Sequence, residues 1–137
     1  MRLPAQGGCQ CGACRYELSA APYVCYTCHC RACQKLTASA FLSCVQVPRE
    51  SFSLVAGVLE TCVRMADSGN KLTTSFCTAC GTTLYADNSS RPRVRTVHLG
   101  SLDQPTAVEV TAHIWVAQKL PWVILPQGHR IFEYAGD

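Results

Sequence analysis

Three tight cysteine clusters constrain this chain more than any other feature. They read Cys9-Gln10-Cys11-Gly12-Ala13-Cys14, Cys28-His29-Cys30-Arg31-Ala32-Cys33 and Cys77-Thr78-Ala79-Cys80-Gly81. Thiols two or three positions apart in a turn can converge on one tetrahedral ion, with zinc–sulfur bonds of about 2.3 Å. A Cys-x-x-Cys followed by glycine suits a knuckle, because glycine takes the positive φ that lets backbone amides face the sulfurs. The first two clusters repeat the spacing C-x-C-x-A-C. With Cys77 and Cys80 they supply thiols for two four-cysteine sites, and spacing alone does not say how the thiols divide.

At 137 residues the chain, residues 1–137, is read as a single zinc-binding domain. A domain of this size buries roughly two-thirds of its unfolded surface, so it supports a core to which metal is an addition. Hydrophobic residues make up 48% and charged residues 15%, which excludes a disordered tail or a nucleic-acid-binding arm. The formal charge of +3 is offset once thiolates bind zinc, and the basic residues are scattered. No nucleic-acid partner is therefore expected. No stretch approaches the ~20 apolar residues of a membrane span, so no membrane partner is expected either.

Eleven cysteines would also suit a secreted disulfide scaffold. Against that, Met1 to Gly8 lacks an apolar signal-peptide core, the count is odd, and Cys-x-Cys is too tight for an easy internal bridge. The expectation is a reduced, cytoplasmic, metal-binding protein, with disulfides as the alternative.

The rest of the chain reads as short strands between turn residues, the pattern of a mostly β protein. Expected strands are Ala13 to Leu18, Phe41 to Val47, Leu72 to Phe76, Thr82 to Ala86, Val94 to Leu99 and Val108 to Ile114. Ser53 to Val55 and Leu59 to Met65 flank Gly57 and are expected to form a hairpin. Helix is confined to a turn after Cys30 through Lys35 and another near Val116 to Leu120.

Read in order, the clusters and their flanks resemble the glutathione-dependent formaldehyde-activating enzyme family, which includes the centromere-protein-V-like proteins. The matching pieces begin with Gly8 to Ala13, Tyr16-Glu17, Cys28 to Lys35 and Ser39-Ala40-Phe41. They continue through Ser68-Gly69, Phe76 to Thr82, Leu99 to Asp103, His113-Ile114-Trp115 and Pro121-Trp122. The resemblance implies a β-tent, a small twisted β domain braced by zinc. It also partitions the thiols: Cys9, Cys11, Cys77 and Cys80 close a structural zinc, and Cys28, Cys30 and Cys33 hold a second. A four-cysteine clip across a long loop removes unfolded-state entropy and leaves the metal closed to ligands.

Three protein ligands leave a fourth position for water or an exogenous thiol, as catalytic zinc sites do. The resemblance thus implies a carbon–sulfur lyase or adduct synthase acting on thiol–aldehyde adducts such as S-hydroxymethylglutathione. Glutathione and an aldehyde would be its small-molecule partners, with Cys28, Cys30 and Cys33 as the catalytic zinc ligands. The alternative is a non-catalytic zinc-binding module or a thiol and redox sensor.

Several residues depart from the family pattern or carry two readings. Cys14 is either a core thiol or a fourth ligand, and Cys25 either closes the second site or resolves an oxidised Cys28. Ala38 stands where the family often has glycine, and Cys44 and Cys62 read as core residues. His29 reads as packing behind the ligands or facing solvent, with a ligand or proton shuttle as the alternative, and His113 as either core or pocket lining. His98 and His129 have no supporting context, while Trp115 and Trp122 are read as core, with the wall of a substrate cleft as the alternative. Arg31, Lys35, Lys71 and Lys119 are candidate contacts for an anionic peptide, each with a solvated surface role as the plainer reading.

Overall fold

The computed structural model describes residues 1–135. Eleven strands form two sheets. β1 (Ala5–Gly8), β2 (Arg15–Leu18) and β5 (Phe52–Ala56) make a small antiparallel sheet in the order β1-β2-β5. The large sheet runs β11-β10-β3-β4-β9-β8-β7-β6. Its strands are β3 (Val24–Cys28), β4 (Leu42–Pro48), β6 (Leu59–Met65), β7 (Lys71–Cys77) and β8 (Thr83–Asn88), with β9 (Val94–His98), β10 (Ala112–Ile114) and β11 (Arg130–Ile131). Pairing in it is antiparallel except at β10, which lies parallel to both β3 and β11. The one α-helix among the described residues, α1 (Arg31–Thr37), follows β3 closely. The architecture is the mostly β arrangement that the run of short strands predicts.

The core forms where the small sheet meets the large one. Tyr16 and Leu18 of β2 and Phe52 of β5 pack with Val45 and Val47 of β4, Leu84 of β8 and Val97 of β9. Burying a side chain of this size stabilises the fold by roughly 1.5–3 kcal/mol. Tyr16 stacks on Phe52 at 4.8 Å between ring centroids, and Phe52 meets Tyr85 edge-on at 4.7 Å. Arg95 caps this aromatic group, 3.9 Å above the Tyr85 ring, and pairs with Asp87 at 2.8 Å. The Tyr16 hydroxyl lies 2.8 Å from Ser101 Oγ. Gly7 passes so close beneath this ring that a Cβ there would sit 2.4 Å from it, so glycine is required.

The expected hairpin around Gly57 does not form. β5 pairs with β2 in the small sheet, whereas β6 pairs with β7 in the large one. The chain changes sheets at Gly57 (φ +95°), where a Cβ would meet Cys14 Sγ at 2.6 Å. Burial of Phe52 against Tyr16 and of Leu59 beside Cys77 draws the two strands apart. Of the expected strand over Val108 to Ile114, only Ala112–Ile114 is regular. The turn expected near Val116 to Leu120 is a short 3-10 helix, Val116–Gln118. Strands β1, β3 and β11 are additions to the expected set.

Candidate metal centres

The first centre joins two turns far apart in the chain. Cys9 and Cys11 sit between β1 and β2, Cys77 ends β7, and Cys80 lies between β7 and β8. Their four Sγ atoms all lie within 4.8 Å of one another. Cys9 and Cys11 are 3.5 Å apart and Cys11 and Cys77 3.9 Å. A tetrahedral zinc with 2.3 Å bonds separates its sulfurs by about 3.8 Å, so this donor set fits such an ion. Each turn adds an amide: Cys14 N–H donates to Cys9 Sγ at 3.2 Å, and Ala79 N–H to Cys77 Sγ at 3.3 Å. Gly12 (φ +83°) and Gly81 (φ +77°) make these knuckles accessible to the backbone. Burial works against the Cys9 thiolate, but the Cys14 amide and the thiols of Cys11 and Cys77 outweigh it and lower its pKa. Cys80 is drawn down to about 5 by the hydroxyl and amide of Thr82.

The second centre comes from one segment. Cys28 ends β3, Cys30 is the N-cap of α1 and Cys33 lies in its first turn. Their Sγ atoms again fall within 4.8 Å of one another. The local structure explains the convergence: an N-cap side chain turns back toward the first helical amides, and Cys30 Sγ accepts from Cys33 N–H at 3.3 Å. The neighbouring thiols of Cys28 and Cys33 hold Cys30 well below the usual thiol range, and the Arg64 charge adds to this. Cys30 in turn pushes Cys28 up to about 12, while Cys28 and Cys30 push Cys33 up. Three crowded sulfurs cannot all ionise unaided; a cation among them removes that conflict. Among the described residues, no other His, Cys, Asp or Glu side chain joins this group.

A buried polar run lies behind the second centre. His29 is fully buried, with Nε2 2.9 Å from Thr27 Oγ1. The same hydroxyl lies 2.6 Å from His113 Nδ1, and His113 Nε2 is 3.0 Å from His129 Nδ1. His113 and His129 stack at 5.2 Å. His29 therefore ties the ligand turn back to β3 and β10, and its Nδ1 is buried without a partner. Gln34 Nε2 donates to the His29 carbonyl at 2.8 Å, which pins α1 to the same turn. The helix ends at Ala38, whose φ of +51° lies in the left-handed region. Glycine reaches this region freely and alanine does not, so glycine would sit here without strain.

The surplus cysteines are not among the converging thiols of either centre, although Cys14 packs beside the first. Cys14 is fully buried and its Sγ donates to the Val58 carbonyl at 3.5 Å. Cys25 and Cys28 are three apart on one strand and so face opposite ways, and Cys25 enters the main core. Cys44 is buried, as expected. Cys62 is not a core residue: it is exposed on β6, the edge strand of the large sheet, because nothing packs over that strand beyond Leu59. Trp122 likewise leaves the core and is 70% exposed. Trp115 is half-buried and meets Tyr134 edge-on at 5.4 Å. Arg31, Lys35 and Lys71 are exposed, and Lys119 Nζ is used on the carbonyls of Leu120 and Val123.

His98, which the sequence left without supporting context, is well placed in the structure. It ends β9 opposite Cys44, is 4% exposed, and has Nδ1 2.8 Å from Thr83 Oγ1. Burial lowers its pKa to about 4, so the ring is neutral at pH 7. The available signal was its place just before Leu99-Gly100-Ser101, a run whose backbone turns sharply.

Comparison with known proteins adds two findings. A family model described as "Glutathione-dependent formaldehyde-activating enzyme" matches residues 4–118. The crystal structure of a protein from Rhodobacter sphaeroides superposes with a TM-score of 0.58 at 20% sequence identity, covering 77% of this chain and 96% of that one. That likeness concerns the fold.

Proposed function

The chain belongs to the glutathione-dependent formaldehyde-activating enzyme family, and from that premise we propose that it is a zinc-dependent carbon–sulfur lyase or adduct synthase. Its substrates are a thiol such as glutathione and an aldehyde such as formaldehyde, joined as S-hydroxymethylglutathione. Cys28, Cys30 and Cys33 hold the catalytic zinc, and Cys9, Cys11, Cys77 and Cys80 a structural one. The observation that carries this reading is the convergence of three thiols with no fourth side-chain ligand among the described residues. Zinc held there supplies Lewis acidity toward sulfur, favouring a thiolate at neutral pH.

The chain's own residues have separable tasks. Cys28 and Cys33 sit in a rigid strand-to-helix turn that Cys30 caps, so the three sulfurs keep their spacing. Gln34, bonded to the carbonyls of His29 and Gln118, holds that turn against the loop after β10. In the forward direction the thiol loses its proton and its sulfur bonds to the aldehyde carbon. The C=O π bond breaks, and the new alkoxide takes a proton to become the hydroxyl. The reverse breaks the same C–S bond and returns aldehyde and thiol.

The test is zinc stoichiometry together with the rate of adduct formation over the uncatalysed reaction. The wild type should bind two zinc ions and exceed the spontaneous rate, while Cys33→Ser should keep one zinc and fall to that rate. Full zinc content and undiminished acceleration in Cys33→Ser would remove the second centre from the mechanism. A wild-type rate equal to the spontaneous one would make the protein a thiol-binding module instead.

A further inference from the structure

The large sheet ends in two unlike edges. β11 at one end has two residues, whereas β6 at the other has seven, and all of them but Leu59 are exposed. A long exposed strand presents a row of unpaired amides and carbonyls, a template for another strand. Natural sheets blunt such edges with proline, bulges or very short strands. β6 uses none of these: Leu59–Met65 contains no proline, and its register with β7 runs unshifted from Leu59↔Cys77 to Met65↔Lys71.

The backbone phase of this edge is fixed. Thr78 N–H donates to the Val58 carbonyl and Ala66 N–H to the Asn70 carbonyl, at the two ends of the β6–β7 ladder. Those bonds and the unbroken register direct the backbone groups of Glu60, Cys62 and Arg64 to β7. They turn those of Leu59, Thr61, Val63 and Met65 to the open side, where an added antiparallel strand must bond.

A second copy of β6 meets that requirement in one register that uses the whole strand, with Cys62 on the two-fold axis. Leu59 then lies opposite Met65, Thr61 opposite Val63, Glu60 opposite Arg64, and Cys62 opposite itself. The outward-facing residues exchange both backbone bonds, while Glu60–Arg64 and Cys62–Cys62 are the close pairs, with Cα atoms about 4.5 Å apart. Moving the partner strand two residues either way sets Glu60 or Arg64 against Cys62 and leaves the charges unmatched. Within one chain these two charges are about 13 Å apart along the strand, too far to pair. Neither has an ion-pair partner among the described residues.

We propose that β6 is the contact through which two copies of this chain form a two-fold dimer, joining their large sheets edge to edge. Such a contact is closed, because each strand satisfies the other. Opposite charges directly across from one another stabilise the pairing and like charges there repel, so Glu60 and Arg64 select both the register and the partner. Nothing in this contact depends on the activity read for the thiol centres.

Sedimentation equilibrium of the reduced, zinc-loaded protein across a concentration series tests the contact. The wild type should be a dimer at the upper end. Glu60→Arg and Arg64→Glu each set like charges opposite one another twice and should weaken the dimer by about tenfold or more. The double variant restores opposite charges and should recover most of the affinity. Both residues are exposed, so each variant should fold, as circular dichroism would show. Diamide supplies a second readout: it takes two electrons and two protons from the Cys62 pair as the S–S bond forms. The close pairing lies within the Cα separation that a disulfide spans, so peptide mapping should find Cys62 linked to Cys62. Cys62→Ser should dimerise without the link. A monomer at every concentration would leave the edge to a strand of another protein and overturn the proposal. So would a dimer that the charge reversals leave intact, a dimer lacking the Cys62–Cys62 link, or oligomers that lengthen without closing.

Discussion

The two cysteine centres use the same donor atoms to different structural ends. The four-thiol centre takes its ligands from the β1–β2 and β7–β8 turns, so an ion there joins the small sheet to the large one. The three-thiol centre takes all its ligands from one run, Cys28 to Cys33, which strand, N-cap and helix already hold in shape. Closing a long loop removes much conformational entropy from the unfolded chain, whereas closing a short turn removes little. On the proposed reading, an ion in the first centre would contribute chiefly to stability and one in the second would be free to serve chemistry.

Breaking the first centre should produce the largest effect. Cys77→Ser removes a buried ligand that also lies in the core cluster, and it should cost several kcal/mol or prevent folding, because binding energy at such a site is folding energy. Thermal unfolding with and without a strong chelator would measure it. An unchanged Tm would mean that the two sheets are held by the core alone.

Acid should act next, through the histidine between the centres. The folded pKa of His98 near 4 lies below the ordinary value of 6.5, so the unfolded state binds more protons between these limits. Stability from this group is complete above pH 6.5 and declines as pH falls toward 4, by up to about 3 kcal/mol. His98→Gln should flatten that part of the Tm-against-pH curve while leaving the metal-linked part intact.

Cys33→Ser should change unfolding free energy by only about 1 kcal/mol even as the second zinc is lost, since its centre closes no long loop. A drop as large as that of Cys77→Ser would erase the distinction between the centres. Ala38→Gly, at the end of the helix that carries Cys33, should stabilise by about 1 kcal/mol by relieving a left-handed alanine. Smallest of all, Cys62→Ser on the exposed edge strand should stay within about 0.5 kcal/mol of wild type.

Much of this could be read without coordinates, and the failures are specific. The helix after Cys30 appears as Arg31–Thr37, and the strand over Leu72 to Phe76 as Lys71–Cys77. The hairpin at Gly57 failed because alternation and a glycine mark a turn without saying which sheet receives each strand. Cys62 was misread for a related reason: period-two patterning gives two faces, and an edge strand can leave both in solvent. His98 was left without a role because a lone polar residue at a strand end carries no local sign of burial.

By itself the sequence determined the cysteine clusters, the short-strand composition and the family resemblance. Each of these is written in neighbouring residues, where spacing restricts what a turn or strand can do. Tertiary structure decided the rest: how close the thiols that the resemblance had grouped come to one another, why Cys14 and Cys25 stay outside both groups, and how His98 comes to be buried at the end of β9. Those outcomes depend on strand register and sheet membership, which are set by packing among Tyr16, Phe52, Val45 and Val97 rather than by any local signal.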